Sequence, residues 1–206
     1  ALQSLHRPWN LPLASLRDHK MAATFHQFTQ VALVAVKTPE EEMEIAEHFL
    51  YIDGSDESGE GSAWCVAVFA KSPAGDIQFL GGFGDRTETD AASQKWVGAE
   101  KHSSATAEAS AMVWAQIWTI RRPPEHRHKP AVVIGDSKTT GAIAQLLAVP
   151  KSNEKIARIL QGLYLYAKHL CNFSWDWVTG HSLHPWNELV DAGAQWCRQH
   201  GPVATP

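Results

Sequence analysis

The chain has 206 residues, 44% hydrophobic and 19% charged, ordinary values for one soluble globular domain with an appendage. A formal net charge of −4 excludes a global basic field, so nucleic acid would have to be met through a local patch or through metal ions. Three widely spaced cysteines, Cys65, Cys171 and Cys197, form no CxxC, which excludes a zinc knuckle and a disulfide framework.

Residues 1–46 have mixed composition, with one apolar stretch, QVALVAVKTP, and an acidic run from Glu40 to Glu47 that fits a short helix. We read 1–46 as a connecting segment, 47–201 as the domain and 202–206 as a tail. The start, ALQSLHRPWNLPLASLRDHK, is neither a signal peptide nor an initiator sequence and reads as a piece of a longer polypeptide. No apolar run approaches the ~18 residues of a membrane span. Together with the cysteine pattern, this predicts an intracellular, reducing location.

From residue 48 the pattern sharpens. HFLYID and SAWCVAVFA alternate as strands, SPAGD (72–76) is a turn, and IQFLGGF completes an antiparallel meander. The polar stretch GDRTETDAASQ makes an excursion. Ser103 and Ser104 are N-cap candidates for TAEASAMVWAQIWTI, which is apolar nearly all round and so predicts a buried helix. AVVIGD reads as a short buried parallel strand, NEKIARILQGLYLYAKHL as a helix, FSWDWVTGH as a strand and NELVDAGAQWCRQH as the last helix. The order β-β-β-α-β-α-β-α implies an α/β fold: a five-stranded mixed sheet, antiparallel then parallel, flanked by helices on both faces.

On that map Asp53 ends the first strand, Glu108 sits in the first turn of the first helix and Asp136 ends the fourth strand. Asp191 lies in the last helix. The C-terminal ends of strands one and four are neighbours in this connectivity, so the four carboxylates converge. Close carboxylates repel unless cations sit among them. Oxygen-only ligands suit magnesium, with manganese as a substitute. Two such ions ~3.5–4 Å apart are the arrangement for phosphodiester cleavage. Lys138, two residues after Asp136, is placed to meet a phosphate. The basic cluster Arg121, Arg122, Arg127 and Lys129 lies ~20 Å away at 1.5 Å per helical residue and reads as a solvated loop. An EF-hand alignment of Asp53, Ser55 and Glu57 puts Ser58 where glycine is needed and fails.

WDWVTGHSLHPWNELVDAGA closely resembles the C-terminal signature of type 1 ribonuclease H, G-H-x-x-x-P-x-N-E-x-x-D. YIDGS resembles the first-strand motif of that family, SATAE its helix start and IGDS its fourth strand; the resemblance covers roughly 48–199. It implies the ribonuclease H-like fold and hydrolysis of the RNA strand of an RNA/DNA hybrid, leaving 5′-phosphate and 3′-hydroxyl ends. Asp53, Glu108, Asp136 and Asp191 match the acids that bind two magnesium ions, and His181 matches the mobile histidine. Gly54 and Ser55 match main-chain contacts to RNA, while Asn187 and Glu188 match the polar pair opening the last helix.

Three departures stand out. Leu183 replaces a common glycine, and Ser104 and Ala105 replace amide side chains that grip the hybrid. No basic, Trp-rich handle is present; that stretch offers only Lys151, Lys155, Arg158 and Lys168. A missing handle resembles the ribonuclease H modules of reverse transcriptases. It implies a retroelement polyprotein, with a reverse transcriptase domain of the same polypeptide as partner and a monomeric state for the isolated domain. Two alternatives stay open: a hybrid-binding module that does not cut, and an integrase- or resolvase-like DNA enzyme. In the opening hairpin, Asp56, Glu57 and Glu60 are expected in the turn, held away from phosphates.

Overall fold

The computed structural model describes residues 44–180 and 184–204. The meander is β1 (Glu47–Glu57), β2 (Gly61–Lys71) and β3 (Ile77–Arg86). Then come α1 (Ser104–Ile120), β4 (Ala131–Gly135), α2 (Lys138–Ala144), α3 (Glu154–Leu170), β5 (Phe173–Trp177), α4 (Pro185–His200) and β6 (Val203–Ala204). The sheet order is β5-β4-β1-β2-β3-β6. β1 pairs antiparallel with β2 and parallel with β4, and β4 pairs parallel with β5. The five expected strands are present in the expected mixed arrangement.

Strand alternation sorts the core into two layers. Leu50 and Ile52 of β1 and Val66 and Val68 of β2 face α1 and α3, where Met112, Val113, Ile156 and Leu160 close the larger cluster. Tyr51 of β1 and Cys65, Ala67 and Phe69 of β2 face α4, which contributes Trp186, Leu189, Val190 and Ala194. Helices therefore cover both faces. As predicted for an all-round apolar helix, α1 buries residues around most of its circumference, among them Ala109, Ala111, Met112, Val113 and Ala115. Ser103 is its cap, accepting from the Thr106 amide at 3.2 Å, and Ser104 is the first helical residue.

Four details differ from expectation. The acidic run does not continue as a helix into the described residues: Glu47 already belongs to β1, and the Ala46 amide donates to the Lys71 carbonyl at 2.8 Å. Residues 1–43, including QVALVAVKTP, lie outside the described residues. A short helix, α2, follows β4 and is capped by Ser137, whose hydroxyl accepts from Thr140. Val203 and Ala204, expected in a tail, pair with Gly84 and Phe83 and add a sixth strand at the edge.

The fourth is Arg122, expected in a solvated loop, which is 2% exposed. Among the described residues its guanidinium has no carboxylate partner. It donates instead to the carbonyls of Thr119 (3.0 Å), Arg127 (3.1 Å) and Lys129 (2.9 Å), to Cys171 Sγ (3.3 Å) and to His48 Nδ1 (2.9 Å). One cation thus ties the end of α1, the following loop, the start of β1 and the α3–β5 junction. Arginine cannot accept, so His48 is neutral with its proton on Nε2. Burial, then the Arg122 charge, lowers the His48 pKa from 6.5 to about 3.

A histidine with a lowered folded pKa contributes stability above pH ~6.5 that is lost as pH falls towards ~3. Urea unfolding should therefore show about 2 kcal/mol of acid destabilisation between about pH 7 and 4.5 that His48→Gln removes, while the variant is less stable at neutral pH. Equal pH dependence in the two proteins would contradict this role for His48.

Candidate active site

Because β1 and β4 run parallel, their C-terminal ends share one edge of the sheet. Asp53, expected to end β1, lies inside it opposite Cys65 of β2, because the hairpin with β2 carries β1 on to Glu57. Asp136 is the first residue after β4. Glu108 comes from α1, in its second turn rather than the first because the helix begins at Ser104. One carboxylate oxygen from each of Asp53, Glu108 and Asp136 lies within 4.8 Å of the others. Three separate elements deliver these acids to one point.

The approach of α1 to β1 depends on Gly54. A Cβ there would lie 2.5 Å from the Glu108 amide nitrogen and 2.7 Å from both the Ala107 carbonyl carbon and its Cβ. Any side chain would lever the helix, and Glu108 with it, off the strand. The Gly54 amide also donates to Asp53 Oδ1 at 2.7 Å. Gly180 plays a similar part on the other side, since a Cβ at that position would strike Asp136 Oδ2. The loop that leads to His181 is thereby seated directly on the Asp136 carboxylate.

Burial and like charge dominate the electrostatics. Asp53 is 6% exposed and Glu108 7%. Burial raises the Asp53 pKa well above the carboxylate range, and repulsion from Glu108, Asp136 and Asp191 adds to it. Glu108 is pushed up to about 8 by burial and by Asp136, partly offset by hydrogen bonds from Asp53 and from the Gly54 backbone. Glu108 Oε2 is buried with no partner. An all-oxygen donor set with an unpartnered buried carboxylate oxygen fits a hard divalent cation of the magnesium type.

Asp191 stands slightly apart. Its charge is felt by Asp53 and Glu108, yet it is not one of the three oxygens in the tight group. Its Oδ1 accepts from Gln195 Nε2 at 2.8 Å, one turn along α4. The expected convergence of four acids is thus a triad with a fourth nearby.

The remaining predicted residues are spread around this centre. Ser55 Oγ accepts from Arg198 Nε at 3.2 Å. Ser104 is exposed at the start of α1. Lys138 is exposed, its Nζ 3.8 Å from the centre of the Trp177 ring. Asn187 is 2% exposed, with Oδ1 unpartnered. His181 lies outside the described residues, as does Leu183.

Of the hairpin acids, Glu60 lies in the turn as expected, and the other two do not. β1 runs through Glu57, so Asp56 and Glu57 are strand residues, and both Glu57 and Glu60 pair with Arg198. Trp177, Gly180 and Arg198 were not picked out from the sequence. Trp177 Nε1 donates to the Asp136 carbonyl at 3.0 Å, fixing the backbone that presents that carboxylate. Its position in the alternating WDW was the available signal.

No protein-family model matches the sequence, and no curated protein matches it. Solved structures do match. The ribonuclease H domain of prototype foamy virus is 18% identical, covering 76% of this chain and 96% of that one with a TM-score of 0.50. LC11-RNase H1, isolated from compost by a metagenomic approach, is 16% identical over 73% of this chain and 97% of that one, TM-score 0.50. The protease–reverse transcriptase of prototype foamy virus is 15% identical over 79% of this chain but only 22% of its own length, TM-score 0.51. At these identities the likeness is one of fold: the chain has the ribonuclease H fold.

The repulsion within the triad gives two expected outcomes. Magnesium should raise the melting temperature of the wild-type chain, by an increment equivalent to about 1–3 kcal/mol at saturation. Asp53→Asn should raise stability without magnesium and abolish the increment; a preserved increment would argue against a cation at this centre. Gly54→Ala should cost about 1–3 kcal/mol in denaturant unfolding. Wild-type stability in that variant would mean that α1 does not rest on the strand there.

Proposed function

We propose that this chain is an endoribonuclease that hydrolyses the RNA strand of RNA/DNA hybrids. The carrying observation is the triad of buried Asp53 and Glu108 with half-buried Asp136, delivered by β1, α1 and the end of β4 in a ribonuclease H fold with Asp191 beside it. The G-H-x-x-x-P-x-N-E-x-x-D pattern from Gly180 to Asp191 supports the same reading.

In this reading Asp53, Glu108, Asp136 and Asp191 hold two magnesium ions, for which manganese substitutes. When bound, such a pair activates a water and stabilises the leaving oxygen of a phosphodiester. The protein's own part is to keep the acids at one edge, through the Gly54 contact and the Trp177 hold on the Asp136 backbone. Lys138, held over the Trp177 ring, presents a cation to a phosphate beside Asp136. Histidine side chains titrate intrinsically near neutrality, and in this reading His181 moves a proton. Gly54, Ser55, Ser104 and Asn187 border the path of the substrate. The hybrid is read by groove shape and 2′-hydroxyls rather than by sequence.

The absence of a basic handle and the match to a foamy-virus polyprotein support a role as a module of a retroelement polypeptide, with a reverse transcriptase domain as neighbour. Three free, buried cysteines support action inside the cell. No described helix is long and apolar enough to cross a membrane.

The test is cleavage of a labelled RNA/DNA hybrid with and without magnesium, beside a DNA duplex of the same sequence. Magnesium-dependent cutting of the RNA strand is expected, with Asp136→Asn reducing it by about a thousandfold or more while the melting curve stays cooperative. Equal cutting of the DNA duplex would favour a DNA enzyme, and hybrid binding without cutting would favour a binding module.

A further inference from the structure

Arg198 has a setting that the triad does not explain. Its side chain is 6% exposed, whereas the Glu57 and Glu60 side chains that it pairs with are 59% and 50% exposed. Nη1 donates to both acids, to Glu60 at 2.6 Å, and Nε donates to Ser55 Oγ at 3.2 Å. The cation is thus set behind the hairpin, with the acids in front of it. Ser55 and Glu57 follow Asp53 at two-residue steps, so all three project from the same face of β1.

A hairpin carrying Asp56, Glu57 and Glu60 beside Asp53 is a poor neighbour for a polyanion. Unpaired, each acid would repel a phosphate that approaches the rim, and close charges of this kind are only partly screened by salt. Arg198 offsets two of them with one charge, and it holds the Ser55 hydroxyl in the same network. Its backbone is fixed in turn by Arg86, whose Nε donates to the Arg198 carbonyl at 3.1 Å.

We propose that Arg198 is a positioning residue for nucleic acid: by pairing with Glu57 and Glu60, which offsets part of their charge, and by anchoring Ser55, it makes the β1–β2 rim passable to a phosphodiester backbone. The proposal rests on the nuclease reading of the site. The hydrogen bonds of the Arg198 side chain go to Ser55, Glu57 and Glu60. It acts through the hairpin.

The experiment measures the affinity of the 206-residue chain for a labelled RNA/DNA hybrid and for a DNA duplex, by fluorescence anisotropy at low salt without divalent ions. Arg198→Met should weaken binding by about tenfold. Glu57→Gln/Glu60→Gln should change wild-type binding by about twofold or less, yet restore the Arg198→Met variant to within about threefold of wild type. A purely structural arginine cannot produce that rescue, so a triple variant as weak as Arg198→Met overturns the proposal. So does an Arg198→Met variant that binds as wild type does.

If Arg198→Met fails to fold, the glutamine pair alone decides. A change of about twofold or less supports masking, and a tightening of about tenfold shows acids that were never masked. Hybrid cleavage separates the two readings. Absent cleavage with the rescue intact on duplex DNA sinks the ribonuclease assignment and leaves Arg198 standing. Cleavage without rescue does the reverse, and a wild-type chain that binds neither nucleic acid overturns both.

Discussion

Two nearly buried carboxylates, Asp53 and Glu108, lie against a third, and the rest of the edge is arranged to tolerate that. Desolvation and like charge both oppose ionisation here, so the cost of the cluster rises with every unit of charge placed on it. The cluster is not relieved by an arginine or lysine among its own members. It is held from outside, by backbone: the Gly54 amide on Asp53, the close packing of α1 on Gly54, and the Trp177 indole on the Asp136 carbonyl. A scaffold that supplies rigidity without countercharge leaves the compensating charge to a bound cation. The same geometry that sets like charges against one another is the one that suits a divalent cation.

That choice propagates outward. Positive side chains near the site are kept off the triad and aimed elsewhere. Lys138 rests on the Trp177 ring, and Arg198 is turned to the hairpin acids. Arg122, the most buried cation, is used at the opposite end of β1 to gather carbonyls and His48. In a chain with net charge −4, the local field at this edge is thus set by where individual cations are placed rather than by their number.

The sheet and the triad were legible in the sequence for one reason: both follow from period-2 alternation and strand-end position, which need only local pattern plus connectivity. Asp136 follows a recognisable strand, and Asp53 lies two residues past the last β1–β4 pair, although β1 itself runs on to Glu57. Other features were set by tertiary choices with no local mark. α2 spans seven residues, too short for its periodicity to register, and β6 spans two. Arg122 looked like surface because arginine is rarely buried without an acid, and only the fold reveals that carbonyls from a loop converge on it. The offset of Asp191 has no mark in the sequence, and neither has the hydrogen bond its Oδ1 accepts from Gln195 one turn away.

The last helix connects these levels. Asp191 and Arg198 are seven residues apart, two turns of α4, and so share a face about 10 Å long. Asp53 and Glu57 are four residues apart on β1, about 13 Å in an extended strand. The two spans are similar, so one helix face can serve the triad at one end and the hairpin at the other. Sliding α4 along β1 would pull Arg198 off Ser55 and Glu57 and shift Asp191 relative to Asp53 at the same time. The hairpin clamp and the position of the fourth acid are thus a single geometric constraint, written into the spacing of two residues on one helix.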